Sequence, residues 1–212
     1  MKLSATFSAA EKVSTDVIII SLFENTKKIP SELNAINKAS GGAISGLLKN
    51  GDFTGTLNET TIIPTDKKIV PKRILLVGLG KSADFTLDKV RQAAGTATRV
   101  VQGKKFKNPS MLLYRMETKW ISLEDVARSV AEGILLSRYN FTMYKTLKKE
   151  DKFDITSYSL VVQKNDVLKS IKSVVKEAEI VAEAVCFTRD IVNMAGSDAT
   201  PTFLANKAKE IA

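Results

Sequence analysis

The sequence contains no histidine and a single cysteine among its 212 residues. The absence of histidine excludes Ser-His-Asp and Cys-His catalysis, histidine-ligated metals and histidine proton transfer within this chain. One cysteine excludes an intramolecular disulfide, and Cys186 lies beside Val185 and Phe187 on the apolar side of a helical pattern. The sequence therefore predicts a buried structural thiol rather than a nucleophile.

Long apolar runs are also missing. The longest strand-like runs, at residues 17–22 and 74–79, fall far below the roughly 18 residues that a membrane span requires. The first residues alternate between apolar and polar types, which is unlike the basic and then apolar pattern of a signal peptide. These features predict a cytoplasmic protein without a membrane partner.

Negative charge is in the minority, because 32 Lys and Arg residues face 23 Asp and Glu residues and leave a net charge of +9. The excess includes two lysine clusters, Lys104, Lys105 and Lys107, and then Lys145, Lys148, Lys149 and Lys152. Such clusters could contact phosphates or an acidic partner. Both follow predicted helices, whose dipoles lysines complement at the C-terminal end, and no nucleic-acid reading motif accompanies them. Solvated lysines are the favoured interpretation, so nucleic acid is not an expected partner.

Short apolar segments alternate with amphipathic ones along the chain. Strands are predicted at residues 2–8, 16–23, 59–64, 73–80, 110–115 and 157–163, and helices at 30–50 with a break at Gly41-Gly42, at 86–103, 122–144 and 166–192. This alternation predicts an α/β layered fold. The first two strands are joined by too few residues for a crossover helix, so an antiparallel or mixed edge is expected.

The last predicted helices divide the chain into two regions. A helix over residues 166–192 would be about 40 Å long, more than a small sheet covers, and is expected to leave the sheet as a strut. Residues 195–198 break the pattern, and Pro201 suits the first turn of a new helix. That helix shows no stop signal before residue 212, which predicts that the functional protein continues beyond it.

Several short motifs, taken together in their order and spacing, resemble the N-terminal part of leucyl aminopeptidases, the cytosol aminopeptidase family. They are Gly41-Gly42-Ala43-Ile44, residues 51–55 (GDFTG), 74–81 (ILLVGLGK), 132–141 (EGILLSRYNF) with Tyr144-Lys145 after two further residues, 189–193 (RDIVN) and Thr200-Pro201. One departure concerns the connector: family members usually carry a proline soon after the asparagine, where this chain has Met194-Ala195-Gly196. A more flexible connector is therefore expected.

The resemblance implies a macro-domain-like mixed sheet flanked by helices over residues 1–163. Residues 164–212 would form a long linker helix and the start of a C-terminal catalytic domain. The implied protein is a cytoplasmic metallo-aminopeptidase that releases N-terminal residues from peptides. Its two divalent metals, zinc or manganese, would be held in the catalytic domain through a lysine, aspartates and a glutamate. Implied partners are that domain and the other subunits of a homo-hexamer, with peptides bound only through the catalytic domain.

The family's metal-binding segment, Asn-Thr-Asp-Ala-Glu-Gly-Arg, does not occur in these 212 residues. Glu177, Glu179 and Glu183 are interpreted as a solvated helix face. No catalytic, cofactor-binding or metal-binding residue is therefore assigned. The chain alone is expected to be inactive, with a role in assembly or in access to the active site.

An alternative function rests on Gly78-Leu79-Gly80, which follows a strand and precedes a helix. The third glycine of a Gly-x-Gly-x-x-Gly motif would fall at Ala83, and no strand-borne acidic residue follows about 20 residues on. A tight strand-to-helix turn is the favoured interpretation. The alternative is a stand-alone macro-like module that binds a nucleotide or ADP-ribose at this turn, or nucleic acid on its lysines.

Overall fold

The computed structural model describes residues 1–114, 121–146 and 153–211. Within these ranges the strands are β1 (Lys2–Phe7), β2 (Val17–Leu22), β3 (Thr60–Pro64), β4 (Arg73–Gly78), β5 (Pro109–Leu113) and β6 (Ser157–Val162). The helices are α1 (Asn34–Ala39), α2 (Ala43–Asn50), α3 (Leu87–Gly103), α4 (Leu123–Ser137), α5 (Leu168–Asn193) and α6 (Pro201–Ile211). The predicted α/β fold, a mixed sheet flanked by helices and followed by a long helix, is confirmed.

The strands form one sheet in the order β1-β6-β5-β2-β4-β3. All neighbours are parallel except β3, which is antiparallel to β4. The expected mixed sheet is confirmed, but the antiparallel strand is β3 and not one of the first two. Strands β6 and β5 lie between β1 and β2 in the sheet. The nine residues that join β1 to β2 therefore have to run back along the sheet and pass β6 and β5. An extended chain of that length reaches about 30 Å, which requires no helix.

Strand β2 lies in the middle of the sheet, and all its residues are buried. Its side chains alternate between two apolar layers, as the pleat of a strand dictates. Ile19 packs in the layer that contains α3, α4 and α5, whereas Ile18 and Ile20 pack in the layer that contains α1 and α2. A strand covered on both faces reads as a continuous apolar run, which explains why β2 was predictable.

Two glycines divide the helical stretch after β2, as expected. Gly41 and Gly42 have φ values of +75° and +78°, in the left-handed region that costs other residues about 1–2 kcal/mol. Helices α1 and α2 therefore form separate pieces, and Gly51 ends α2 in the same conformation.

Helices α3 and α4 begin at side-chain caps that the sequence indicates. The Thr86 hydroxyl accepts a hydrogen bond from the N–H of Lys89, and Ser122 forms a capping box with Asp125. The two helices then pack closely at Gly133, where an added Cβ would lie 2.3 Å from the carbonyl oxygen of Arg91. The small residue lets the two backbones approach each other.

Several predicted details are wrong. Helix α4 ends at Ser137 and not near residue 144, because residues 139–144 are rich in aromatic and polar side chains with low helix propensity that contact another segment instead. The alternation of apolar residues in the first strand predicts that Phe7 shares a buried face with Leu3 and Ala5, but half of Phe7 is exposed. Cys186 is only partly buried. Arg115 of the fifth predicted strand lies outside the described residues, as do Lys148, Lys149 and Lys152 of the second lysine cluster.

Helix α5 contains 26 residues and is therefore about 39 Å long, as predicted. Helix α6 begins at Pro201, and the Thr200 hydroxyl accepts a hydrogen bond from the N–H of Phe203. In the part of the chain that the structure describes, no helix combines the length and the apolar character needed to cross a bilayer.

Candidate functional site

The Gly78-Leu79-Gly80 turn has no backbone donor to spare for a phosphate. Its three N–H groups each donate a 2.9 Å hydrogen bond to carbonyl oxygens of the protein itself, those of Glu59, Leu22 and Gly55. An added Cβ at Gly78 would lie 1.9 Å from the carbonyl oxygen of Thr56. The glycine is therefore needed because two segments of backbone touch at this point. This geometry is that of a tight structural turn, as the sequence favoured.

Next to this turn, the carboxylate of Glu59 fills an anion-binding concavity. It accepts hydrogen bonds from the N–H groups of Thr54 at 3.1 Å, Gly55 at 2.9 Å and Thr56 at 3.1 Å, and from the Thr54 hydroxyl at 2.7 Å. Burial acts to raise the pKa of Glu59, but these hydrogen bonds outweigh it and hold the pKa below its usual value. Successive backbone N–H groups of this kind bind anions in other proteins. Here the ligand is a side chain of the same loop, so the structure gives the nucleotide alternative no support.

The carboxylates of α5 form surface contacts. Glu177 accepts a 2.7 Å hydrogen bond from Arg128 of α4, and this hydrogen bond and the charge of Arg128 lower its pKa. Glu183 is exposed and Glu179 is partly exposed. Among the described residues no three cysteine, aspartate or glutamate side chains lie together as metal ligands, so these residues do not fit a two-metal site.

The lysines of the first cluster lie where the sequence placed them. Lys104 and Lys105 are exposed directly after α3, and Lys107 is exposed two residues later. Lys145 of the second cluster is exposed as well. Exposed lysines at the end of a helix complement its dipole and remain hydrated, which explains Lys104 and Lys105 without a ligand. Lys145 lies well beyond Ser137, where α4 ends, so the predicted position at a helix end is wrong for this lysine.

The single thiol has the properties of a structural cysteine. Cys186 is partly buried in α5, and burial raises the pKa of its thiol. A reactive cysteine requires the opposite shift, because the thiolate is the nucleophile.

The second half of α5 carries apolar side chains that the body of the protein leaves exposed. The last buried residue of this helix is Ala182, whereas Ile180 is 68% exposed and Val192 is 77% exposed. A shallow apolar groove runs between Ile180, Val181, Ala184, Val185, Thr188 and Arg189. We call these residues together with Val192 the distal apolar face. Exposed apolar clusters are typical of surfaces that another part of a protein covers.

Helix α6 has the same character. It has no buried residue in its described part, and Leu204 and Ile211 are 42% and 71% exposed. The described part of this helix therefore contributes no side chain to the core.

Two sequence motifs that are far apart in the chain meet at the end of α5. The hydroxyl of Tyr139 donates a 2.9 Å hydrogen bond to Asp190 and accepts a 3.1 Å one from the side chain of Asn193. The hydroxyl of Tyr144 donates a 2.5 Å hydrogen bond to Asp198 and accepts a 2.8 Å one from the N–H of Ala195. The sequence singled out both stretches, but no periodicity or spacing predicted that they touch.

The pKa values of both phenols are raised above that of a free tyrosine. Desolvation, with the hydrogen bond to Asp190, raises the pKa of Tyr139. The hydrogen bond to Asp198 raises the pKa of Tyr144. Both hydroxyls therefore remain hydrogen-bond donors at neutral pH and above.

Comparison with known protein families gives a match over residues 19–148 to the N-terminal domain of the cytosol aminopeptidase family. A probable cytosol aminopeptidase from a Geobacter species is 32% identical over 200 residues, which cover 94% of this chain and 39% of the relative. A second one, from a Sulfurihydrogenibium species, is 30% identical over 193 residues, which cover 91% of this chain and 38% of the relative. The chain thus spans about two fifths of the length of these curated relatives.

Solved structures show the same fold. A mutant of tomato leucine aminopeptidase superposes with a TM-score of 0.78 at 22% identity, covering 100% of this chain and 42% of that one. The bottromycin maturation enzyme BotP in complex with Mn superposes with a TM-score of 0.66 at 21% identity, covering 93% of this chain and 36% of that one.

Proposed function

Because the chain belongs to the cytosol aminopeptidase family and matches its N-terminal domain, we propose that it is the non-catalytic N-terminal domain of an aminopeptidase. The longer protein would release N-terminal amino acids from peptides, and residues 1–212 alone would hydrolyse nothing. Its relatives extend well beyond the region that they share with this chain. The proposal assigns peptide binding and catalysis to that further region.

The observation that carries this proposal is the distal apolar face. Ile180 and Val192 are exposed to solvent on a helix whose first half buries one apolar face. Covering such side chains stabilises an interface by about 25 cal/mol for each Å² of apolar surface. We assign residues 1–163 to the N-terminal domain and residues 164–212 to the linker and the start of the catalytic region. The rest of the catalytic region would pack on the distal apolar face.

The metals of the proposed enzyme would be held outside this chain. The described residues bring no three metal-ligating side chains together, so no catalytic step is assigned to them. BotP was solved with Mn, which supports manganese, beside zinc, as a metal to test. We further propose a cytoplasmic homo-hexamer in which this domain contributes to assembly or to access to the active site.

The test is hydrolysis of leucine-p-nitroanilide with added manganese. Three proteins are compared: residues 1–212, the remaining part of the Geobacter relative alone, and a chimera that joins the two. We expect no hydrolysis by residues 1–212, and hydrolysis by the chimera that a chelator abolishes. The rate of hydrolysis by the remaining part of the Geobacter relative alone, compared with that of the chimera, shows how far catalysis depends on the N-terminal domain. Hydrolysis by residues 1–212 that a chelator abolishes would overturn the proposal.

A further inference from the structure

The connector between α5 and α6, residues 194–200, has a sequence that allows many backbone conformations. It contains Gly196 and no proline, and glycine has more conformational freedom to lose than any other residue. Its internal hydrogen bonds are short-range, such as those from the N–H groups of Asp198 and Ala199 to the carbonyl oxygen of Ala195. A connector of this kind keeps one direction only when other parts of the protein hold it.

The loop that follows α4 provides such contacts. The hydroxyl of Tyr144 bonds to Ala195 and Asp198 near the two ends of the turn in the connector. The hydroxyl of Tyr139 bonds to Asp190 and Asn193 in the last turn of α5. A phenol hydroxyl both donates and accepts, so each tyrosine joins two groups of the segment that it faces.

Charge also favours this arrangement. A carboxylate in the last turn of a helix is disfavoured by the helix dipole, and Asp190 occupies that position in α5. Donation from Tyr139 compensates part of this cost. The guanidinium of Arg189 lies 5.5 Å from the centre of the Tyr139 ring, so the same ring is also held from the helix side.

The loop is itself anchored to the body. Arg138, the residue before Tyr139, donates a 2.5 Å hydrogen bond to Asp154, which precedes β6. Asp154 also lies 3.6 Å from the N-terminal ammonium of Met1. Burial acts to raise the pKa of Asp154, but Arg138 and this ammonium hold it below its usual value. A chain of side-chain contacts therefore links the start of β6 to the connector, through Asp154, Arg138 and the two tyrosines.

We propose that Tyr139 and Tyr144 are positioning residues that form a clamp and set the direction in which the connector and α6 leave the body. The clamp is a property of this chain, and it holds whether or not the longer protein is an aminopeptidase. Removal of the two hydroxyls releases residues 194–211 and leaves the sheet intact.

Amide hydrogen exchange tests the hydrogen bond between the Ala195 N–H and the Tyr144 hydroxyl. In Tyr144→Phe the ring stays but the acceptor for the Ala195 N–H is lost, so this amide exchanges about two- to tenfold faster, as expected for one net hydrogen bond. The amides of β2 and β4 exchange at unchanged rates. Thr142→Val is the matched control, because it removes a hydroxyl from the same loop. Unchanged exchange at Ala195 in Tyr144→Phe, or equal acceleration in Thr142→Val, would overturn the proposal.

A distance measurement tests the direction of α6. Two spin labels are placed at Lys107→Cys on the body and Asn206→Cys on α6, both at exposed positions, in a Cys186→Ser background. Pulsed electron paramagnetic resonance should give one narrow distance distribution with the clamp intact and a broad one in the double variant Tyr139→Phe and Tyr144→Phe. A distribution that stays equally narrow in the double variant would show that the tyrosines do not position α6.

Discussion

The body of the protein and its C-terminal region differ in how far they bury their apolar side chains. In the body, β2 and β4 are covered on both faces, and the backbone donors of the glycine turn and the loop at Glu59 are paired internally. From Ala184 onward, no described residue of α5 or α6 is buried. The comparison separates a region whose apolar side chains pack inside the protein from one whose apolar side chains remain exposed.

Core truncation gives the largest effect and tests this comparison directly. Ile19→Ala in β2 should lower the free energy of unfolding by about 2–5 kcal/mol, because it removes a fully buried side chain and leaves a cavity. Ile180→Ala is the matched change on the distal apolar face, and it should alter stability by less than about 0.5 kcal/mol. Urea unfolding of residues 1–212 measures both. Equal losses would show that α5 is part of the core along its whole length.

Removal of a helix cap should have a smaller effect, and it compares a helix of the body with a helix of the C-terminal region. Ser122→Ala, which destroys the capping box of α4, should cost about 1 kcal/mol. Thr200→Ala removes the corresponding cap of α6, and it should leave the global free energy of unfolding unchanged, because α6 has no buried residue in its described part. Urea midpoints of the two variants decide the point, and a cost at Thr200 as large as that at Ser122 would contradict it.

A pH dependence in the body gives the smallest effect. The pKa of Glu59 is lowered in the folded protein, so its hydrogen bonds stabilise the fold above the ordinary pKa of 4.5. That contribution is lost as the pH falls through the folded-state value. The stability difference between the native protein and Glu59→Gln should be constant near neutral pH and should shrink below about pH 4.5. A difference that grows on acidification would show that the carboxylate is not stabilised by the loop.

The elements of the body could be predicted because their signals are local. The continuous apolar run of β2, the capping box at Ser122 and the split at Gly41-Gly42 each lie within a few residues of sequence. Strand order was less accessible. The link between β1 and β2 says how many residues join them, but not that β6 and β5 are inserted between them.

The candidate sites depended on contacts that sequence does not encode locally. The carboxylate of Glu59 fills the concavity at residues 54–56 because of the path of the loop. No sequence motif predicts this contact. The clamp joins Tyr139 to residues about 50 positions away. The end of α4 was misplaced for the same reason, since Tyr139 bonds to the last turn of α5 and Tyr144 bonds to the connector.

The central test compares hydrogen–deuterium exchange in residues 1–212 with exchange in the chimera that carries the Geobacter catalytic region. We predict equal protection of β2, β4 and the first half of α5 in the two proteins. The amides from Ala184 to Ile211 should be slowed only in the chimera, where the distal apolar face is covered. Equal exchange of this segment in both proteins, in a chimera that is active on leucine-p-nitroanilide, would contradict the claim that this face receives the catalytic region.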